Sequence, residues 1–102
     1  MTEFRLTQPT LKVLHFLLDK PRQRRSGAEI SKATGTASGT LYPMLVRLET
    51  AGWLTSEWER IDPHEVGRPR RRFYKLTALG QNKANEALRD LQIGARVPSW
   101  TV

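Results

Sequence analysis

Ser38-Gly39-Thr40-Leu41-Tyr42-Pro43-Met44-Leu45-Val46-Arg47-Leu48-Glu49, closed by Thr50-Ala51-Gly52-Trp53-Leu54, decides the fold of this 102-residue chain. At about 100° of turn per residue, Leu41, Met44, Leu45 and Leu48 share one face of a helix. The opposite face carries Gly39, Pro43, Arg47 and Thr50, with Thr40 and Val46 at its edges. Ser38 is the expected N-cap, its hydroxyl accepting from a free first-turn N–H. Gly52 suits the left-handed residue that ends a helix. Pro43 is tolerated near the start, where N–H groups lack intrahelical partners, and not deep inside. One face is thus anchored in a core while the other is small, polar and basic enough to lie in a groove, as a DNA-recognition helix requires. An ordinary amphipathic helix with a wet outer face has the same pattern, so the neighbouring segments must decide.

Upstream, residues 1–8 read as a short leader. A first helix is expected from about Pro9 to Lys20, with Pro9 at the first helical position and Pro21 as its stop. Leu11, Val13, Leu14, Leu17 and Leu18, widened by Phe16, form an apolar face broad enough for two partners, one of them in a second subunit if the protein dimerises. Residues 21–25, Pro-Arg-Gln-Arg-Arg, form a basic loop. Ser26-Gly27-Ala28-Glu29 has capping-box spacing and opens a short helix to about Ala33, closed by Gly35. A short helix, a turn of about four residues and an amphipathic helix make a helix-turn-helix.

Downstream, Trp53–Trp58 and Arg72–Leu76 favour strands and predict a β-hairpin with a long charged tip. From Arg60 to Lys75, six Lys or Arg against Asp62 and Glu65 leave a local charge of +4 out of +7 for the whole chain. That clustering suits a phosphate-contacting wing. Arg68, between Gly67 and Pro69, is placed to reach a minor groove. Thr77 caps a last helix from Ala78 to about Ile93, where Gly80, Ala84, Ala87, Leu88 and Leu91 share a face with room for a close helix neighbour. It packs on the first helix, or on a second subunit, or on both. The tail from Gly94, with Trp100, is expected to be loose.

Composition narrows the function. Seventeen Lys and Arg against ten Asp and Glu give a pI near 10.6, which points to a polyanionic partner, nucleic acid above all. With no cysteine, thiol catalysis, disulfides and cysteine-based zinc sites are excluded, and a reducing cytoplasm is compatible. No apolar run spans a bilayer and no signal-peptide pattern is present, so a soluble cytoplasmic protein is expected, with no membrane partner. His15 and His64 are distant and make no metal site by spacing. No phosphate loop, nucleophile elbow or carboxylate pair appears. No metal, cofactor or catalytic residue is expected.

The order of elements, with "SGTLYPMLVRLETAGWL" and "GRPRRRFYKLTALG", resembles the PadR-like family of winged-helix transcriptional regulators, over roughly residues 10–90. The resemblance implies a mainly α winged helix-turn-helix: a three-helix core, a two-stranded wing and a C-terminal dimerisation helix. The DNA-binding part would cover 1–76, and the dimerisation helix and tail 77–102. It implies a homodimer, a repressor more than an activator, on a palindromic site in double-stranded DNA. The helix candidates for DNA are Ser38, Gly39, Thr40, Tyr42, Pro43 and Arg47, and the wing candidates are Arg68, Arg70 and Arg71. Arg47 meets a base or a phosphate, and Tyr42 a phosphate or the helix edge. Leu14, Phe16, Ala84, Ala87, Leu88 and Leu91 are the dimerisation candidates. With a single helix after the wing, the chain resembles the short subclass, some of whose members bind planar aromatic effectors; Phe16 and Trp100 are the apolar candidates for such a pocket. The rival reading is a winged-helix protein-docking module without sequence-specific DNA binding.

Overall fold

The computed structural model describes the backbone of residues 6–100 and the side chains of residues 6–90. The elements run α1 (Gln8–Asp19), β1 (Arg25–Ser26), α2 (Gly27–Thr34), α3 (Ser38–Thr50), β2 (Leu54–Trp58), α4 (Pro63–Val66), β3 (Arg72–Leu76) and α5 (Ala78–Trp100).

Helix boundaries follow local chemistry. Thr7 caps α1, its hydroxyl accepting from the Thr10 N–H at 3.4 Å, with Pro9 in the first turn. The capping box of α2 is complete: Ser26 Oγ accepts from Glu29 N at 3.1 Å, and Glu29 Oε1 from Ser26 N at 3.2 Å. Gly35, in the left-handed conformation, ends it. Ser38 is not the N-cap of α3. Ala37 holds that position with no side-chain hydrogen bond, and its carbonyl accepts from Thr40 and Leu41 at 3.0 and 2.8 Å. Starting there, the helix carries Pro43 in its interior, deeper than expected. Pro43 has no N–H for the Gly39 carbonyl, and Gly39 is exposed, so water reaches what the proline leaves unbonded.

The apolar stripe of α3 is the centre of the core. Leu41, Leu45 and Leu48 are fully buried and Met44 nearly so, packed with Val13, Leu14, Leu17, Ile30, Leu54, Tyr74, Leu76 and Ala84. The broad face of α1 does have two partners, α2 and α5 of the same chain. Leu14 and Ala84, expected at a dimer interface, are each 0% exposed in this core and have no surface left for a second subunit.

The expected two-stranded wing is present as β2 and β3, and a third strand, β1, extends it. β3 lies between β1 and β2 in a three-stranded antiparallel sheet, with Arg25 opposite Tyr74, Ser26 opposite Phe73, and Leu54 to Trp58 opposite Leu76 to Arg72. Two residues of β1 are too few to show an alternating pattern. Gly52, with φ 84°, turns the chain from α3 into β2. A Cβ on Gly80 would collide with the Trp53 carbonyl, so glycine lets α5 approach this turn. Thr77 Oγ1 accepts from Gly80 N at 2.9 Å and donates to the Gly52 carbonyl at 2.6 Å, tying α5 to the same turn. The segment from Gly94, expected to be loose, continues α5 as helix to Trp100.

Candidate nucleic-acid interface

Because its opposite face is buried, α3 presents Ser38, Gly39, Thr40, Tyr42, Pro43, Val46 and Arg47 to solvent, all exposed. Val46 is 62% exposed, a bare apolar group among polar neighbours and a shape suited to a thymine methyl.

Tyr42 leans from α3 toward the first residue of α2, where a Cβ on Gly27 would lie 2.5 Å from its hydroxyl oxygen. It is 43% exposed. A cleft of about 400 Å³ opens there, lined by Ser26, Gly27 and Ala28 from the start of α2, Tyr42 from α3, and Trp58, Arg70, Arg71, Arg72 and Tyr74 from the sheet. The exposed face of α3, the start of α2 and the wing thus meet around one basic, aromatic concavity. Burial pushes the Tyr74 hydroxyl above its ordinary pKa.

Trp58 joins this surface from the sheet. It is 56% exposed at the end of β2, with the Arg72 guanidinium 4.9 Å from its ring centroid. Arg72 also lies 3.8 Å from Glu49, whose carboxylate accepts from Ser56 Oγ at 2.6 Å, so the last turn of α3 is pinned to both strands. The sequence neighbours of Trp58, Glu57 and Glu59, are acidic, and it meets Arg72 only through the strand pairing, so no local signal marks it.

The wing arginines do not behave alike. Arg70 and Arg71 are exposed, and Arg70 donates through Nε to the Ile61 carbonyl at 3.0 Å. Arg68 instead turns inward to Glu59, Nη1 to Oε1 at 2.7 Å and Nη2 to Oε2 at 2.9 Å. The hydrogen bonds from Arg68 hold the Glu59 carboxyl down at about 2, helped by the Arg71 N–H. The loop tip, expected to be irregular, contains the helical turn α4. Asp62 caps it, accepting from His64 N at 2.9 Å, and Gly67 (φ 78°) ends it.

Among the described residues, none of the dimerisation and effector candidates lines that cleft. Ala87 and Leu88 are half-buried on α5. Phe16 is half-buried with the Arg25 guanidinium 4.7 Å from its ring centroid, and it lines a shallow depression with Lys12, His15, Asp19, Ala33 and Thr34. The side chains of Leu91 and Trp100 lie outside the described residues. Among the described residues no helix is long and apolar enough to cross a membrane.

Comparison with known proteins agrees with this architecture. A PadR-like transcription factor from Bacteroides fragilis superposes with a TM-score of 0.71 at 22% identity, over 90% of this chain and 87% of that one. A PadR family regulator from Eggerthella lenta gives 0.70 at 23% identity, over 87% and 79%. A mutant of MepR from Staphylococcus aureus gives 0.75 at 16% identity, over 94% of this chain and 65% of that one. At these identities the likeness is one of fold. No curated protein matches the chain. The family model of PadR-like transcriptional regulators, however, matches residues 13–86, from the middle of α1 through the wing and into α5. The chain therefore belongs to the PadR-like family and is a DNA-binding transcription regulator, not an enzyme.

Proposed function

We propose that the protein binds a palindromic operator sequence-specifically as a homodimer and represses transcription from it. The outer face of α3 enters the major groove, and Arg70 and Arg71 take phosphates of the flanking backbone. The observation that carries this reading is the shared concavity, in which Tyr42, the start of α2 and the wing arginines surround one space. A phosphodiester there would meet a phenolic donor, guanidinium groups and the positive end of a helix together. Arg47, two helical turns from the N-terminus of α3 and exposed, is assigned to a guanine edge. The half-buried Ala87 and Leu88 are the surface assigned to the second subunit.

Fluorescence anisotropy tests the reading. The probe is a labelled duplex from the DNA immediately upstream of the coding sequence, set against a scrambled duplex at two salt concentrations. Salt-sensitive binding that prefers the upstream duplex is expected. Arg47→Ala should cost the cognate duplex about 1–3 kcal/mol and the scrambled one far less. An equal loss on both would make Arg47 a phosphate contact. Absence of binding to either duplex at low salt would favour a protein-docking role instead.

A further inference from the structure

We propose that Glu59 and Arg68 form a clasp across the neck of the wing that holds Arg70 and Arg71 in place for the DNA backbone, and that Arg68 does this without touching DNA. The inference rests on the reading of the wing as a DNA contact.

The chain leaves the sheet after Trp58 and returns at Arg72, a long excursion between two paired strands. Such a loop is ordered only if something offsets its conformational entropy. The helical turn α4 orders its tip, and the bonds that close its neck converge on one residue. The Glu59 N–H donates to the Arg71 carbonyl at 2.7 Å, adding a rung beyond the Trp58–Arg72 pair. Its Oε1 accepts from Arg68 Nη1 at 2.7 Å and from the Arg71 N–H at 3.2 Å, and its Oε2 accepts from Arg68 Nη2 at 2.9 Å. Arg68 Nη1 also reaches the Pro69 carbonyl at 3.2 Å. A paired fork of this kind fixes direction as well as distance. It leaves Arg68 with both terminal nitrogens committed and its side chain 33% exposed, while Glu59 is 16% exposed.

The charges fit the same division. A carboxylate beside a polyanion opposes binding unless a cation cancels it. Arg68 cancels Glu59, and the next two arginines keep an outward charge. Arg71 is held by its backbone N–H to Glu59, and Arg70 by its Nε to the Ile61 carbonyl, so both are aligned before DNA arrives.

Charge and clasp predict opposite signs for one substitution. Glu59→Gln removes a negative charge, so electrostatics alone would tighten binding to any duplex. The clasp predicts weaker binding, by about tenfold, because the loop that carries Arg70 and Arg71 must then be ordered on association. The assay is anisotropy on a mixed-sequence duplex at low salt, where backbone contacts dominate and no operator is needed. A double-mutant cycle supplies the second arm. Arg68→Ala should weaken binding in the native background and add less than about twofold on top of Glu59→Gln. Arg68→Lys keeps the charge without the fork and should bind little better than Arg68→Ala. Thermal melting of each variant separates a loosened wing from an unfolded chain. Equal or tighter binding by Glu59→Gln, or an equal Arg68→Ala loss in both backgrounds, overturns the clasp and makes Arg68 a direct contact. If the double variant Arg70→Ala with Arg71→Ala binds as the native protein does, the wing reading itself fails, and the clasp with it.

Discussion

Gly27→Ala should uncouple stability from DNA binding. Gly27 opens α2 immediately after its cap, and an added Cβ would stand 2.5, 2.7 and 2.9 Å from the Oη, Cε1 and Cζ atoms of Tyr42. Atoms do not pack that closely, so one side must move. The backbone of α2 is pinned by its capping box and by the pairing of Ser26 with Phe73. Tyr42 is a 43% exposed side chain, and the atoms it brings to Gly27 are the far end of its ring. Tyr42 therefore swings away. The folded state loses little: alanine lowers the entropy of the unfolded chain by about 0.4–1 kcal/mol relative to glycine, which offsets the displaced contact. The melting temperature should stay within about 5 °C of the native value. Binding should suffer. A hydrogen bond from Tyr42 to a phosphate would be worth about 1.5–3 kcal/mol, or roughly tenfold to a hundredfold in affinity per half-site. Anisotropy and thermal melting on the same samples give both numbers, and Tyr42→Phe sets the scale for the hydroxyl alone. In a Tyr42→Ala background, Gly27→Ala should cost nothing further. Native affinity in the single variant, or the same loss without the tyrosine, would refute the reasoning; a collapse in melting temperature would mean that α2 had moved instead.

Three further outcomes are expected. Ser26→Ala removes one half of the capping box and should cost about 1 kcal/mol, seen as a fall of roughly 5 °C in melting temperature by circular dichroism; no change would mean that the box adds nothing to the helix. Leu45→Ala empties a fully buried site between α3 and its neighbours and should cost about 2–5 kcal/mol in urea unfolding, a large share of what a small domain has. Glu29, Glu57 and Glu59 all sit below the usual 4.5, by hydrogen bonds from the Ser26 N–H, Arg24 and Arg68 respectively. A carboxyl whose pKa is lower folded than unfolded stabilises the fold above its unfolded value and loses that contribution as acid passes through its folded one. Stability should thus be level at neutral pH and decline below about pH 4.5, with the share from Glu59 lost progressively and gone only near 2. A melting temperature that falls before pH 5 would point to other groups.

Helix α3 was legible because its signal is periodic and long. Leu41, Met44, Leu45 and Leu48 repeat at helical spacing, and all four are buried. Capping was legible where the cap is a local contact, as at Ser26 and Glu29, and misleading at Ser38, where the helix begins on backbone bonds to the Ala37 carbonyl. The turn α4 carried a usable sign, aspartate before proline, which the charged composition of the loop obscured. Contacts across the fold leave no periodic trace. Nothing in the spacing of Glu59 and Arg68 says that they face one another, nor that Tyr42 reaches Gly27. Leu14 and Ala84 show the same limit: an apolar stripe does not say whether its partner belongs to the same chain or another.

The shortest strand has the widest structural consequence. At β1, Arg25 pairs with Tyr74 and Ser26 with Phe73, so the residue that caps α2 is also a rung of the wing sheet. Arg25 meanwhile lies over Phe16 of α1 and bridges to Glu29 of α2 at 3.1 Å. On the other edge, Arg24 bridges to Glu57 of β2 at 2.8 Å and lies 4.7 Å from the Phe73 ring centroid. Each of these exposed ion pairs contributes little by itself. Together with the ladder they join the start of α2 to the wing, while Glu49, Ser56 and Arg72 join the end of α3 to the same sheet. The walls of the basic cleft therefore cannot shift independently. Replacing Arg25, a side chain only 14% exposed and not part of the cleft lining, should weaken DNA binding by letting those walls separate. Arg25→Lys keeps the charge but loses the planar group that covers Phe16 and should not restore binding. Full recovery by lysine would mean that charge alone matters there, and that β1 is an incidental pairing instead of the joint between helix and wing.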